Sequence, residues 1–275
     1  MNFFFDLKKK DITLGGFLTF RKECELIASL QKKNTIRVLL NHHKKDKKKI
    51  NYFVKEILMT SSKKFVIKKK LNNTYIWNEN LEDHPNYSLM KVNFLYNKYK
   101  KFPKLLWNKK IINKNNIFIN NYKKKKIISV HLKYVQPYNH IANANLEIWL
   151  NFFKRNKDFI FLIIGHDHYP LEFKSDNLIL LKDKIKELSF HLALVQQTDA
   201  FIGTASGVTT AANFSDKPYI IFKEPNHDTE QILKELKYKN YHFAKKGQKI
   251  LRKQVNKIEL NKGIKYLKKF IKKLK

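Results

Sequence analysis

The sequence is poor in the residues that cross-link or interrupt a chain. Among its 275 residues are one cysteine, seven glycines and six prolines. The single cysteine, Cys24, excludes an intrachain disulfide and a cysteine-based metal site, and it fits a reducing compartment. With so few glycines, those that follow apolar runs are worth examining for turns or ligand contacts.

Long hydrophobic runs are also missing. The longest continuous apolar run, 159–164, is far shorter than the roughly 18 residues that a membrane span needs. The N-terminus, MNFFFDLKKKD, becomes charged too soon to be a secretion signal. A hydrophobic fraction of 43% and an aromatic fraction of 13% are enough to form a folded core. We therefore expect a folded cytoplasmic protein of one large domain or two ordinary ones.

Positive charge is abundant and unevenly distributed. The net charge is +34, with 31 basic and 9 acidic residues in 1–126, 18 and 13 in 127–255, and 8 and 1 in 256–275. The joint abundance of Lys, Asn, Ile and Phe is typical of an AT-rich genome, so much of this charge can be compositional and solvated. The alternative is attraction to anionic substrates or to an anionic membrane surface.

The first half of the chain has the pattern of a β-loop-α-β unit. We predict a strand at 3–5, a loop at 6–16 that ends in Gly15-Gly16, a helix that buries Phe20 and Cys24, and a strand at 36–40. Beyond it the pattern predicts helices at 47–59 and 87–99 and strands at 64–67 and 73–77. The lysine run 123–126 is expected to be a linker, because like charges resist packing.

The second half alternates apolar strands with amphipathic helices. Strands are predicted at 127–132, 159–164, 178–181, 200–202 and 218–222, and helices at 146–153, 185–195 and 208–214. Strands that are apolar throughout indicate a parallel sheet covered on both faces. The sequence therefore predicts an α/β protein of two units, with the boundary near 121–127.

In such a sheet, ligands bind beyond the carboxyl ends of the strands. The most informative loop there is in the segment DAFIGTASGVTTAA, 199–212. We expect Gly203 to leave the strand, Gly207 to open a helix and Ser206 to cap it. The N–H groups of Gly207, Val208 and Thr209, with the hydroxyls of Thr204, Ser206 and Thr209, would then face a phosphate. The alternative is a turn that uses glycine for geometry alone.

The segment DAFIGTASGVTTAANFSDKPYIIF, 199–222, resembles the donor-site segment of GT-B glycosyltransferases of the heptosyltransferase type, the family 9-like group. Val130-His131-Leu132-Lys133 and Phe161-Leu162-Ile163-Ile164-Gly165 match the first two strands of that family's second domain, and Leu14-Gly15-Gly16 its acceptor loop. Where the family has an acidic residue in the donor loop, this chain has Ala205. The likeness is clearest over about 127–225.

The resemblance implies two Rossmann-like domains facing a central cleft. It places an acceptor-side domain at 1–124, a nucleotide-sugar donor domain at 125–255 and a basic amphipathic helix at 256–275. The implied activity moves a sugar from a nucleotide-sugar to a hydroxyl of a lipopolysaccharide- or capsule-type acceptor. It implies no cofactor and no metal, because backbone dipoles and basic side chains stabilise the leaving diphosphate.

Four further side chains receive candidate roles from their positions in this scheme. Lys133 is expected to neutralise phosphate charge, and Glu224 to accept hydrogen bonds from ribose hydroxyls. Asp11 is the candidate general base for the acceptor hydroxyl, with Asp6 second. For each, the alternative is an ordinary solvated residue.

The sequence allows more than one role for the histidine-rich loop and for the tail helix. His166-Asp167-His168 could bind a metal, line the donor site or form a polar loop, and His191 is expected on a helix surface. The tail helix, with Ile264, Leu267, Phe270 and Leu274 on one face, could lie on an anionic membrane or, as we prefer, pack back on the protein.

Two other functions compete with glycosyl transfer. A sugar-nucleotide epimerase of the same fold would turn over the donor without an acceptor. A non-enzymatic nucleic-acid-binding protein would show steeply salt-dependent binding. The nearly neutral region 127–255 and the lack of a known nucleic-acid module argue against the latter, so we expect no nucleic-acid partner.

Overall fold

The computed structural model describes residues 1–8, 12–70, 89–136, 141–225 and 241–271. The chain forms two compact units: Met1–Ile111 with Tyr241–Phe243, and Ile112–Asn240 with Ala244–Lys275. The division therefore falls inside the helix Lys109–Asn120. The expected boundary at 124/125 lies beyond the end of this helix.

Unit 1 is built on a parallel sheet of three strands in the order β1-β2-β3. The strands are β1 (Asn2–Asp6), β2 (Thr35–Asn41) and β3 (Lys64–Lys68), and helix α1 (Leu14–Leu30) connects the first two. A 3-10 turn (Lys44–Asp46) leads into α2 (Lys47–Phe53), which continues as a π-helical segment (Val54–Leu58), and α3 is Leu89–Tyr99. The predicted helices at 47–59 and 87–99 are confirmed where described, while the strand predicted at 73–77 lies outside the described residues.

The prediction that Gly15 and Gly16 end a loop is wrong, because both lie in the first turn of a helix. Helix α1 already begins at Leu14, and the Thr13 hydroxyl caps it by accepting a hydrogen bond from the Gly16 N–H at 3.1 Å. A threonine cap satisfies one of the free N–H groups of the first turn, which offsets the low helix propensity of glycine there.

Helix α1 is held in unit 1 by a buried charged network. Glu25 accepts hydrogen bonds from Arg21 Nε at 2.7 Å, Lys22 Nζ at 3.1 Å and Ser61 Oγ at 2.6 Å. Arg21 also donates to the Ile57 carbonyl in the π-helical segment at 2.8 Å. The three charged side chains are buried, so their mutual pairing decides whether the helix can dock here.

Unit 2 carries a six-stranded, all-parallel sheet in the order β6-β5-β4-β7-β8-β9. Its strands are β4 (Lys126–His131), β5 (Phe159–Ile163), β6 (Leu178–Leu180), β7 (Ala200–Thr204), β8 (Tyr219–Lys223) and β9 (Gln248–Arg252). The helices are α4 (Lys109–Asn120, which crosses the division), α5 (Leu146–Arg155), α6 (Leu188–Leu194), α7 (Thr210–Asn213) and α8 (Lys257–Ile271), with a 3-10 turn at Leu181–Asp183.

The tail helix α8 packs back onto unit 2, which was the preferred alternative. Leu260, Ile264, Leu267 and Ile271 are buried in the core cluster that also contains Trp149 of α5. Each such aliphatic side chain contributes about 1.5–3 kcal/mol of transfer free energy. The apolar face of α8 is therefore occupied, while Leu274 lies outside the described residues.

The predicted α/β fold class with two Rossmann-like units is confirmed. The five strands predicted in the second half are all present, and β9 completes the sheet. The prediction of a linker at 123–126 is wrong for its last residue, because Lys126 is the first residue of β4. Its Nζ pairs with Asp199 at 3.4 Å, which offsets the charge that was expected to prevent packing.

Candidate functional site

The strand order of unit 2 creates a crevice between β4 and β7. The chain runs from β4 outwards through β5 to β6, and then returns to add β7, β8 and β9 on the other side. The connection that leaves β4 runs to one side of the sheet and the connection that leaves β7 runs to the other, so the loops after β4 and β7 diverge above the sheet. The residues that follow these two strands are those expected at a ligand site.

A direct hydrogen bond joins the two loops. The main-chain N–H of Lys133, after β4, donates to Oγ1 of Thr204, the last residue of β7, at 2.7 Å. The Lys133 side chain is half-buried, and burial lowers the pKa of Lys133 although the Asp167 carboxylate opposes the shift. A bound anion would restore the stability of its charged form.

Gly203 has a structural role that differs from the expected one. It lies inside β7 and is buried, rather than leaving the strand. A Cβ at this position would lie 2.2 Å from the His131 carbonyl oxygen, so only glycine permits β7 to approach β4 so closely. The glycine thus maintains the sheet directly beneath the crevice, and a ligand has no access to its backbone.

The loop after β7 is tied together by its own side chains. Ser206 Oγ accepts a hydrogen bond from the Val208 N–H at 3.1 Å, and Thr209 Oγ1 donates to the Ser206 carbonyl at 2.7 Å. Thr209 Oγ1 also accepts from the Ser206 N–H at 3.2 Å. The Val208 N–H is therefore not directed at a ligand as expected, and α7 begins only at Thr210, not near Gly207. Ser206 caps the turn instead of a helix.

His131 occupies a buried position at the end of β4. Its Nδ1 lies 3.0 Å from the Ile164 carbonyl oxygen and its Nε2 lies 3.9 Å from Oδ2 of Asp167. Burial lowers the pKa of His131, and the Asp167 carboxylate and the Ile164 carbonyl oppose this shift. Gly165 has φ +103°, and a Cβ there would lie 2.8 Å from His131 Nδ1. Glycine is thus required both by the backbone and by the imidazole.

His191 is not on a helix surface, as predicted, but in the core. Its Nε2 lies 2.8 Å from the Ile185 carbonyl oxygen, and its Nδ1 lies 3.1 Å from the Gly165 main-chain nitrogen and 3.2 Å from the Gly165 carbonyl oxygen. Burial lowers the pKa of His191 to about 4, although the contacts with the two carbonyl oxygens oppose the shift. The i, i+3, i+4 pattern could not reveal this because α6 is buried on all sides.

A cavity of about 760 Å³ opens beside the edge strand β6 and the loop that follows β5. His166 and His168 line it, together with Tyr169, Lys182, Asp183 and Lys186. The Tyr169 hydroxyl donates to the Leu132 carbonyl at 2.6 Å, which fixes this wall to the loop after β4. The lining role that the sequence allowed for His166 and His168 is consistent with this position, and the contribution of Lys182 and Lys186 was missed.

A second cavity, of about 300 Å³, lies on the other side of the crevice. Its lining includes Thr204, Ala205 and Glu224, together with Asn145 and Lys253. Thr204 therefore both accepts the hydrogen bond that joins the loops after β4 and β7 and lines this cavity. The structure brings together Lys133, Thr204, Ala205, Ser206 and Glu224 at one edge of the sheet.

The general-base candidates belong to unit 1. Asp11 lies outside the described residues. Asp6, at the carboxyl end of β1, accepts hydrogen bonds at Oδ1 from the Lys8 N–H at 3.1 Å and from Asn41 Nδ2 at 3.0 Å. Asp6 thus connects the turn after β1 to β2.

Two negative findings apply to the described part of the chain. No group of three or more His, Cys, Asp or Glu side chains within it is arranged to hold a metal ion. None of its described helices combines the length and apolar character that crossing a bilayer requires.

Comparisons with solved structures extend over both units. The chain is similar to a glycosyl transferase family 9 structure from Veillonella parvula DSM 2008, with a TM-score of 0.56 and 11% identity over 96% of this chain and 95% of that one. It is similar to the E. coli ADP-heptose LPS heptosyltransferase II, with a TM-score of 0.56 and 9% identity over 99% of both chains. It is also similar to the E. coli heptosyltransferase WaaC with ADP-2-deoxy-2-fluoro heptose, with a TM-score of 0.50 and 9% identity over 100% of both chains.

No protein-family model matches the chain, and no curated protein sequence matches it significantly. At 9–11% identity the structural likeness establishes the fold. The predicted resemblance to the heptosyltransferase-type group is therefore confirmed at the level of the fold, over nearly the whole of each compared chain.

Proposed function

We propose that this protein is a glycosyltransferase that moves a sugar from a nucleotide-sugar donor to a hydroxyl group of a lipopolysaccharide- or capsule-type acceptor. The observation that carries the proposal is the crevice between β4 and β7, where Lys133 and the loop 204–209 meet at the sheet edge. The whole-length likeness to heptosyltransferase structures supports the same activity.

In this proposal the donor diphosphate lies above the crevice. The Lys133 ammonium would neutralise phosphate charge, and Thr204, Ser206 and the main chain of Gly207 would contribute polar contacts. Stabilisation of the leaving diphosphate by fixed dipoles and a lysine would need no metal ion. The nucleoside would occupy the 760 Å³ cavity, beside His166 and the lysines of its wall.

The smaller cavity would then receive the sugar. Glu224 was expected to bind ribose hydroxyls, and in this placement it would accept hydrogen bonds from hydroxyl groups of the sugar. Ala205 stands where the resembled family has an acidic residue, so the sugar would lose one carboxylate contact. We infer that the sugar of this donor differs from the one the family uses.

The reaction would be a displacement at the anomeric carbon. The acceptor oxygen forms a bond to this carbon while the bond to the diphosphate oxygen breaks, and the nucleoside diphosphate departs with the electron pair. A base takes the proton of the acceptor hydroxyl, and Asp11 is our candidate for it, with Asp6 second.

Ligand-detected NMR with a panel of nucleoside diphosphates tests the donor site. We expect at least one diphosphate to bind more tightly than its nucleoside, and Lys133→Ala to weaken that binding about tenfold or more, as loss of a charge-assisted contact predicts. Lys154→Ala, on the exposed side of α5, is the matched control and should leave binding unchanged. Absence of binding by every nucleoside diphosphate and nucleotide-sugar would refute the proposal.

Release of nucleoside diphosphate then separates transfer from epimerisation. A transferase releases it at a rate that rises with a glycan acceptor, whereas an epimerase converts the donor with no acceptor present. Acceptor-independent conversion of the sugar would favour the epimerase.

A further inference from the structure

Helices α1 and α3 of unit 1 border a shallow groove that the proposed activity does not use. The last turns of both helices line it, with a volume of about 170 Å³. Leu30 and Leu95 form its apolar wall, and Phe94, Lys98 and Tyr99 stand along its rim. We call Leu30, Phe94, Lys98 and Tyr99, with Lys100 and Lys101 that follow them, the α1–α3 face.

Two aromatic side chains of this face are directed to solvent. Phe94 is 51% exposed and Tyr99 is 44% exposed. Leaving half of an aromatic ring in water forgoes transfer free energy that burial would recover. Exposed aromatic rings next to an apolar groove are typical of surfaces that meet another apolar phase.

The charged residues that neighbour these rings along the chain are basic. Residues 94–104 contain four lysines and no aspartate or glutamate. Lys98, Lys100 and Lys101 are exposed beside the end of α3, and Lys32 and Lys33 are exposed directly after α1. Cations near helix C-termini interact favourably with the helix dipole, which accounts for some of these lysines. The dipole gives no reason for the exposed Phe94 and Tyr99.

We propose that the α1–α3 face docks on an anionic lipid bilayer. The rings of Phe94 and Tyr99 would enter the interfacial region, where amphipathic aromatic side chains are favoured, and the lysines would contact lipid phosphates. The apolar groove favours a lipid surface over a nucleic acid, because acyl chains and not phosphates match the partly buried Leu30 and the exposed ring of Phe94. This inference concerns unit 1 alone and does not depend on the proposed glycosyl transfer.

Vesicle co-sedimentation of the full chain tests the inference. We expect binding to vesicles of phosphatidylcholine with 30% phosphatidylglycerol, binding at least tenfold weaker to pure phosphatidylcholine, and a decrease with added salt. The double variant Phe94→Ser/Tyr99→Ser should lose at least tenfold in binding to the anionic vesicles. In Phe94→Trp, the tryptophan emission should shift to the blue when anionic vesicles are added.

The controls are equally exposed apolar residues of unit 2. Ile117 on α4 is 70% exposed and Ile258 on α8 is 64% exposed. Ile117→Ser and Ile258→Ser should bind vesicles as the parent chain does. Circular dichroism shows whether each variant is folded. Nucleoside-diphosphate binding, measured on the same variants, distinguishes a failure of the membrane inference from a failure of the proposed activity.

Three results would overturn the inference. The first is no binding to anionic vesicles, and the second is equal loss in the serine variants of both units. The third is binding to single-stranded RNA that exceeds vesicle binding and falls in Phe94→Ser/Tyr99→Ser, which would assign the face to nucleic acid.

Discussion

The main-chain N–H of Lys133 donates a 2.7 Å hydrogen bond to the side-chain hydroxyl of Thr204. Thr204 is buried at the end of β7, and Lys133 lies two residues after the end of β4. This bond fixes the distance between the two loops that border the crevice. A buried N–H that loses its partner costs about 1–3 kcal/mol.

Replacing Thr204 by Val should therefore destabilise the protein and loosen the donor site together. We expect the free energy of unfolding to fall by about 1–3 kcal/mol, because valine has the shape of threonine without the hydroxyl. Urea unfolding measures the first effect, and titration with the best-binding nucleoside diphosphate measures the second. Thr204→Ser retains the acceptor oxygen, so it should keep most of the unfolding free energy and most of the affinity for the diphosphate. Equal losses of stability and affinity in the Val and Ser variants would contradict the role of the hydroxyl.

Gly203→Ala should be among the most damaging small substitutions in unit 2. The new Cβ would lie 2.2 Å from the His131 carbonyl oxygen, which is main chain and cannot move away easily. We expect a loss of more than about 3 kcal/mol, comparable to severe overpacking. Thermal or urea unfolding provides the measurement.

Gly263 in α8 is the matched control for this substitution. A Cβ there would first meet Phe222 Cζ at 3.5 Å, an ordinary contact. Because alanine is favoured over glycine inside a helix by roughly 1 kcal/mol, Gly263→Ala should leave stability unchanged or raise it. Similar destabilisation by the two substitutions would show that close strand approach is not the cause.

The strands of unit 2 could be predicted because their apolar runs are uninterrupted. The sequence from Phe159 to Ile164 has no polar residue, and β5 occupies five of its six positions. β9 was missed since Gln248 and Lys249 interrupt its pattern, although Gln248 is buried and donates to the Ser215 and Lys217 carbonyls. A polar residue whose partners are distant in sequence cannot be recognised as buried from periodicity alone.

The ends of β4 and β7 were predicted closely, while the ligand site above them stays a prediction. It rests on the rule that ligands bind beyond the carboxyl ends of parallel strands. The local bonds of Ser206 and Thr209 were not predictable, because the same hydroxyl can cap a helix or close a turn. The role of Gly203 required the position of His131, which is 72 residues away in the sequence.

The Glu25 network of unit 1 yields a prediction about buried charge. Burial alone would raise the pKa of Glu25, but attraction from Arg21 and Lys22 and the hydrogen bond from Ser61 lower it overall. Glu25→Gln removes the anion and leaves two buried cations, so we expect a loss of about 3–5 kcal/mol in unfolding free energy. Urea unfolding at pH 7 measures it.

An exposed glutamate serves as the control for this substitution. Glu147 lies in the first turn of α5, and Glu147→Gln should cost no more than about 1 kcal/mol through the helix dipole. A loss of similar size in both variants would contradict the importance of the buried pairing.

His191 gives the protein an acid-sensitive core. Its folded-state pKa of about 4 lies below the usual 6.5, so the folded protein binds fewer protons than the unfolded chain between these values. The neutral His191 ring makes its full contribution to the free energy of unfolding above pH 6.5, and this contribution is lost as the pH falls towards 4. The loss is on the order of 3 kcal/mol, and His131, whose pKa is also lowered by burial, adds to it in the same direction.

Urea unfolding at several values between pH 4 and 7 tests this dependence. His191→Gln can retain a donor for the Ile185 carbonyl and an acceptor for the Gly165 N–H but cannot titrate, so its stability should vary less with pH than that of the parent. His168→Gln, at an exposed position, should leave the parent profile unchanged. Parallel profiles for the parent and His191→Gln would mean that protonation of His191 does not drive acid unfolding.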